Sequence, residues 1–155
     1  MRESNQANVS EMMRFFAVDQ KIIADSLSIL LDAGADDGEL FFQYRATNTI
    51  SYEDGIINRA HSSIDCGVGI RAVAGDNTGF AFSEELSDAS IKRAAKTAAT
   101  IAKSGDRVKK PIEIRAQSHK NYYDTKIKWH DVAVESKLPI ISQTADSAKQ
   151  QDSAI

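Results

Sequence analysis

At 155 residues with 42% hydrophobic side chains, the chain can bury one core without disulfides or a structural metal. Nineteen basic residues against 22 acidic ones leave a net charge of −3, which lacks the excess a row of phosphates needs and argues against nucleic acid as a direct partner. The single Cys66 excludes an internal disulfide and a CxxC site, pointing to a reducing, cytoplasmic compartment; no run nears the roughly 20 apolar residues of a membrane span, and MRESNQANVS lacks an apolar leader core.

Residues 1–18 read as a flexible polar segment, in which MMRFF (Met12–Phe16) can open a short helix. A helix is predicted over Asp19–Ala33. Asp19 is its N-cap, Ile23, Leu27, Leu30 and Leu31 recur at helical spacing, and Gly34 supplies the left-handed stop. From Gly38 the period changes to two: GELFFQYRAT sets Leu40, Phe42 and Tyr44 against Phe41, Gln43 and Arg45, and TISYED follows beyond Asn48. Asp54-Gly55 signals a type I′ hairpin, IINRAHSS returns from it, and IDCGVGIRAVA leads through AGDNTG into TGFAFS. The expectation is an antiparallel meander of about four strands. Ser87–Ser104 is a helix capped by Ser87, with an apolar stripe of Ile91, Ala94, Ala95, Ala98, Ile101 and Ala102. Helix, strands and helix in this order make an α+β fold with the helices on one face of the sheet. Residues 19–105 form that domain, 106–135 a charged and irregular linker containing a short strand candidate, PIEIRA, and 136–155 the start of a helix that tolerates Pro139 in its first turn.

The glycines of DCGVGIRAVAGDNTGFAF decide between two chemistries. A dinucleotide loop needs GxGxxG between a strand and a helix, but Gly67-Val68-Gly69 runs on as strand and position 72 is Ala; no GxxxxGK[ST] occurs either. Read as strands, the even positions carry the bulk of the side chains and face the helices, Phe80 and Phe82 with them. The odd positions then leave a bare floor of Gly67, Gly69, Gly79 and Ala81, with Arg71, Arg45 and Arg59 on the same side. Glycine inside a strand costs about 0.5–1 kcal/mol relative to alanine, so such a floor is expected to receive another backbone or domain, a β-bulge being the plainer reason for Gly67 and Gly69.

No catalytic constellation stands out. None of His61, His119 and His130 belongs to an HExxH-type helix, there is no GxSxG, and Cys66 falls on the predicted buried face. No catalytic or metal residue is assigned.

The aromatic strand LFFQY, the EDG-I-I hairpin, the block GVGIRAVAGDNTGFAF and the helix SDASIKRAAKTA together resemble the N-terminal region of the TldD/PmbA family, its TldD branch most of all, over about residues 20–105. The resemblance implies a cytoplasmic zinc peptidase that works as a TldD–PmbA heterodimer on unfolded peptides. It also implies modulation of DNA gyrase through peptide maturation. The family's zinc site is an HExxxH helix in a C-terminal peptidase domain, a motif with no match in this sequence. The chain is therefore expected to be inactive alone. It reads as an N-terminal domain that walls a cleft, guides peptide and contacts a partner subunit; the alternative is a stand-alone, non-enzymatic module that binds a TldD or PmbA partner. Truncation of a longer chain is the favoured account of its length.

Overall fold

The computed structural model describes residues 2–102, 112, 115, 117, 126–127 and 131–152. The elements in chain order are α1 (Arg2–Phe15), α2 (Gln20–Asp32), β1 (Asp37–Glu53), β2 (Ile56–Ala74), β3 (Asn77–Ser83), α3 (Asp88–Ala102) and α4 (Val134–Gln151). Among the described residues the sheet is three-stranded and antiparallel, in the order β1-β2-β3, so the fold is α+β as expected. The linker read over 106–135 and the strand candidate PIEIRA lie largely outside the described residues.

The chain divides into two units. Residues 1–45 and 65–119 form the first, and residues 46–64 and 120–155 the second. The first unit begins with α1, where the sequence reading placed a flexible segment. Its C-terminal end is tied down by aromatics: the Phe16 ring is buried and lies 5.5 Å from Phe42, while Phe15 meets Tyr44 edge-on at 5.1 Å. α1 ends in a paired stop. The Val18 N–H donates to the Met13 carbonyl at 2.9 Å and the Ala17 N–H to Arg14, with Ala17 at φ 53°. Asp19 then caps α2 by accepting from the Ile22 N–H at 2.7 Å. α2 stops by the same device with a residue suited to it: Ala35 N–H donates to Leu30, Gly34 N–H to Leu31, and Gly34 has φ 97°.

The core lies between α2, α3 and one face of β2 and β3. Leu30, Ile70, Ile91 and Val68 are its largest fully buried side chains, set among Ala72, Ala74, Ala94, Ala95, Ala98 and Ala102. α3 packs on β3 and on α2. A stripe of alanines lets the α3 axis come close to the sheet, which is how a chain with few large apolar residues closes a dry core. Lys92 of α3 reaches Asp25 of α2 at 2.9 Å and Asp88 at 2.9 Å, and Lys21 meets Asp25 at 2.7 Å. These ion pairs rim the α2–α3 contact.

In the second unit, Asp54 (φ 51°) and Gly55 (φ 80°) close the β1–β2 hairpin in the predicted left-handed pair. The strand count of about four reduces to three because the polar residues around Asn48 and Ser62 are interior to long strands. The Ser62 hydroxyl donates to the Asn48 side-chain oxygen at 2.8 Å across the hairpin, so these side chains satisfy each other and no turn is needed. α4 starts at Val134, ahead of the expected residue 136, which leaves Pro139 inside the helix and the Glu135 carbonyl without its i+4 donor.

Candidate functional site

β2 and β3 pair from Val68↔Ser83 to Ala74↔Asn77 around a two-residue turn, with Gly75 at φ 57°. That turn length dictates an odd sum for every pair, so even positions of β2 share a face with odd positions of β3. Ile70 stands opposite Ala81 and Ala72 opposite Gly79 on the helix side, while Gly69 faces Phe82 and Arg71 faces Phe80 on the outer side. The predicted floor is corrected accordingly. Gly67 and Gly69 belong to the outer face, Gly79 and Ala81 do not, and Phe80 and Phe82, assigned to the helices from sequence, are 58% and 70% exposed. Arg45 is exposed in the first unit, and Arg59 is exposed in the second.

Each of the three strand glycines meets a different neighbour. A β-carbon on Gly79 would overlap the Ala98 carbonyl oxygen and sit 2.7 Å from the Ala102 nitrogen, so this glycine admits the α3 backbone. At Gly67 it would lie 2.7 Å from the Ser83 carbonyl oxygen and 3.3 Å from the Glu84 Cα, where the chain leaves β3. At Gly69 it would touch Cε2 and Cζ of Phe80, both at 3.2 Å, so the bare backbone is a shelf for an aromatic ring. The outer face is thus a glycine strip in β2 beside Phe80 and Phe82. Phe41 of β1 is 62% exposed, and the outward Arg71 pairs with Glu39 of β1 at 2.8 Å.

Electrostatics at the ends of this face are structural. Glu85 accepts from the Ser90 hydroxyl at 2.7 Å and the Ser87 hydroxyl at 2.8 Å, bonds that hold its carboxyl below the ordinary range, while Arg93 donates to the Ser90 hydroxyl at 3.0 Å. The Ser87 hydroxyl also caps α3 by accepting from the Ser90 N–H. Asp25 is lowered by its bonds to Lys21 and Lys92, and Lys92 is raised in return. Neither carboxylate is tuned for proton transfer near neutrality. Asp36 is a residue that sequence reasoning missed. Its carboxylate accepts from the Gly75 N–H at 2.8 Å and its own N–H donates to the Val73 carbonyl at 2.7 Å, which fixes the β2–β3 turn to the start of β1. Nothing in the local pattern of ADDGEL links it to a turn 39 residues away.

This layout, a glycine-stripped strand whose neighbour carries paired aromatics and whose following helix is alanine-rich, agrees with the profile of PmbA/TldA metallopeptidase domain 1, which matches residues 38–102. Those residues are thus similar to a PmbA/TldA-type first domain. A metalloprotease TldD homolog of Buchnera aphidicola from Schizaphis graminum is 36% identical over 90 residues, 57% of this chain and 18% of the relative. One of Haemophilus influenzae is 38% identical over 74 residues, 48% of this chain and 15% of the relative. The chain therefore matches less than a fifth of the length of these curated relatives.

The relatives' names carry a metal requirement for the full-length proteins. Among the described residues, no three His, Cys, Asp or Glu side chains gather to hold such an ion. These residues do not fit a metal centre, and no chemical step is assigned to them. His61 is exposed, Cys66 is half-buried against the core, and His119 and His130 lie outside the described residues. No described helix is long and apolar enough to cross a membrane.

Proposed function

We propose that this chain serves as the first domain of a TldD-type cytoplasmic zinc metallopeptidase that cleaves unfolded peptides, with maturation of a gyrase-directed peptide among its tasks. The zinc and the hydrolytic groups belong to a C-terminal peptidase domain outside this sequence. The role of the first domain is to wall the cleft, guide extended peptide and contact the TldD or PmbA partner subunit. The observation that carries the reading is the outer face of β2 and β3. Phe80 and Phe82 stand exposed beside Gly67 and Gly69, with Arg71, paired to Glu39, on the same face and Arg45 exposed on β1. Exposed aromatic rings give sequence-tolerant apolar contact, which suits unfolded substrates of mixed sequence.

The test is the double substitution Phe80→Ser with Phe82→Ser in the peptidase of full length. Both side chains are largely exposed, so the fold stays intact by circular dichroism while turnover of an unfolded peptide falls about tenfold or more through a raised KM. Unchanged kcat/KM together with unchanged subunit assembly would sink the guidance and partner roles. A catalytically silent full-length protein that still captures its partner subunit would favour the binding-module reading instead.

A further inference from the structure

The sequence holds two Asp-Gly pairs, Asp37-Gly38 and Asp54-Gly55. Such a pair can rearrange unaided, because glycine has no β-carbon to crowd the reaction. The glycine backbone nitrogen gives up its proton and attacks Cγ of the aspartate; the new N–Cγ bond closes a succinimide ring, and a carboxyl oxygen leaves as water. Solvent water then opens the ring. Addition at the side-chain carbonyl returns aspartate, whereas addition at the main-chain carbonyl breaks the original peptide link and leaves isoaspartate, whose backbone runs through Cβ. One water is released and one consumed, so no oxidant, reductant or cofactor enters. Ring closure requires the glycine nitrogen to swing onto Cγ, and the freedom of the local backbone sets how often it does so.

The fold puts the same dipeptide in opposite surroundings. A β-carbon on Gly38 would lie 2.6 Å from Cδ1 of Leu30, a fully buried side chain, and the Gly38 N–H donates to the Asp37 carboxylate at 2.9 Å. The preceding residue is tied as well: the Asp36 N–H donates to the Val73 carbonyl at 2.7 Å, and its carboxylate accepts from the Gly75 N–H at 2.8 Å. Nothing comparable restrains Asp54-Gly55. Glu53, Asp54, Gly55 and Ile56 are all exposed, and a β-carbon on Gly55 would meet no atom within 4 Å. The Asp54 carboxylate has no hydrogen bond or ion pair among the described residues. Asp54 also holds a left-handed backbone, φ 51°, which an L-residue adopts at a cost. We infer that Asp54-Gly55 is a self-modification site, where this chain converts aspartate to isoaspartate and loosens the hairpin tip, while the fold protects Asp37-Gly38. A two-residue turn with both central residues left-handed matches the twist of its strands, and an added backbone atom removes that match. The bond beside the turn, from Asn58 Nδ2 to Glu53 Oε2 at 2.7 Å, is the first to be lost. This inference is independent of the peptidase reading.

Warm storage of the 155-residue chain in neutral buffer, followed by tryptic digestion, tests it. Cleavage after Lys21, Arg45 and Arg59 leaves the two dipeptides in separate peptides, 22–45 and 46–59. Isoaspartate is read as a second chromatographic peak of unchanged mass that accepts a methyl group from an isoaspartyl methyltransferase. In the folded chain its fraction in 46–59 grows with time and exceeds that in 22–45 by about tenfold or more, since an exposed turn opens far more often than a segment packed on the core. In concentrated urea the two fractions converge, because only the fold distinguishes the two sites. Asp54→Glu, whose longer side chain closes a ring far less readily, loses the signal in 46–59 and leaves 22–45 unchanged. Hydrogen exchange of the aged chain shows lost protection at amides within 50–58 and none lost in β3. Equal fractions in the folded chain, a larger fraction in 22–45, no growth in 46–59, or an aged hairpin that keeps its protection would each overturn the proposal.

Discussion

The two faces of the β2–β3 ladder invert the usual relation between size and burial. The side against α3 carries Gly79, Ala81, Ala72 and Ala74 with Val68 and Ile70 as its larger buried groups, whereas the solvent side carries Phe80, Phe82 and Arg71. What places an element in a core is the distance to its neighbour, not the bulk of its side chains. A helix whose own stripe is alanine approaches until backbone nearly meets backbone, and only glycine at position 79 leaves room. The aromatic side chains of β3 are then displaced to the other face, where Gly69 accommodates the edge of the Phe80 ring.

Substituting the same residue type on the two faces separates these roles most sharply. Gly79→Ala drives a methyl group into the Ala98 carbonyl, a rigid backbone atom, and is expected to cost about 2–3 kcal/mol in urea denaturation. Gly67→Ala meets the Ser83 carbonyl at 2.7 Å, where the chain leaving the sheet can yield, and should cost about 1–2 kcal/mol. Gly69→Ala meets an exposed ring that can tilt by a few tenths of an ångström, and alanine favours the strand by about 0.5–1 kcal/mol, so the two effects nearly cancel. Equal losses at 79 and 69 would mean that the faces do not differ as described.

A smaller effect is expected at the end of α1, which anchors aromatics of the same domain. Ala17 holds a left-handed backbone that costs an L-residue about 1–2 kcal/mol, and glycine there gives back about 0.5–1 kcal/mol through a freer unfolded chain. Ala17→Gly should therefore raise stability by about 0.5 kcal/mol, read as a shift in the denaturation midpoint without a change in slope. A loss of stability on this substitution would contradict the strain assigned to position 17.

The smallest effect concerns the ion pairs on the far side of α3. Asp25 has its folded pKa lowered by Lys21 and Lys92, so its contribution is present above the carboxylate's ordinary value and is lost as pH falls through the lowered one. Lys92 is raised, so its share is present below the ordinary lysine value and fades only as pH climbs through the raised one. Melting temperature followed from neutral to acid pH should decline less steeply for Asp25→Asn than for the parent chain. Identical acid slopes would show that the rim contributes nothing, the common outcome for exposed pairs.

Local rules went far in this chain. The caps at Asp19 and Ser87, the stop at Gly34 and the hairpin at Asp54-Gly55 were all readable, because each depends on contacts within a few residues. The inward set of β2 was legible too, since alternation survives without knowledge of the partner. Strand number was less so. Asn48 and Ser62 look like breaks in isolation and become ordinary strand positions once each finds the other across the hairpin. The floor was half right for a comparable reason: Gly67 and Gly69 share a face by parity within one strand, but joining them to Gly79 and Ala81 required the parity of the β2–β3 turn.

The alternation along each strand, the alanine stripe of α3 and the charge balance are properties of the sequence alone, because neighbours in the chain impose them. Which face of β3 is buried, the clamp of Asp36 on Gly75 and the approach of Ala98 to Gly79 were decided only by the tertiary structure. They join residues tens of positions apart, and their cause is a distance between backbones, a quantity that no local pattern encodes.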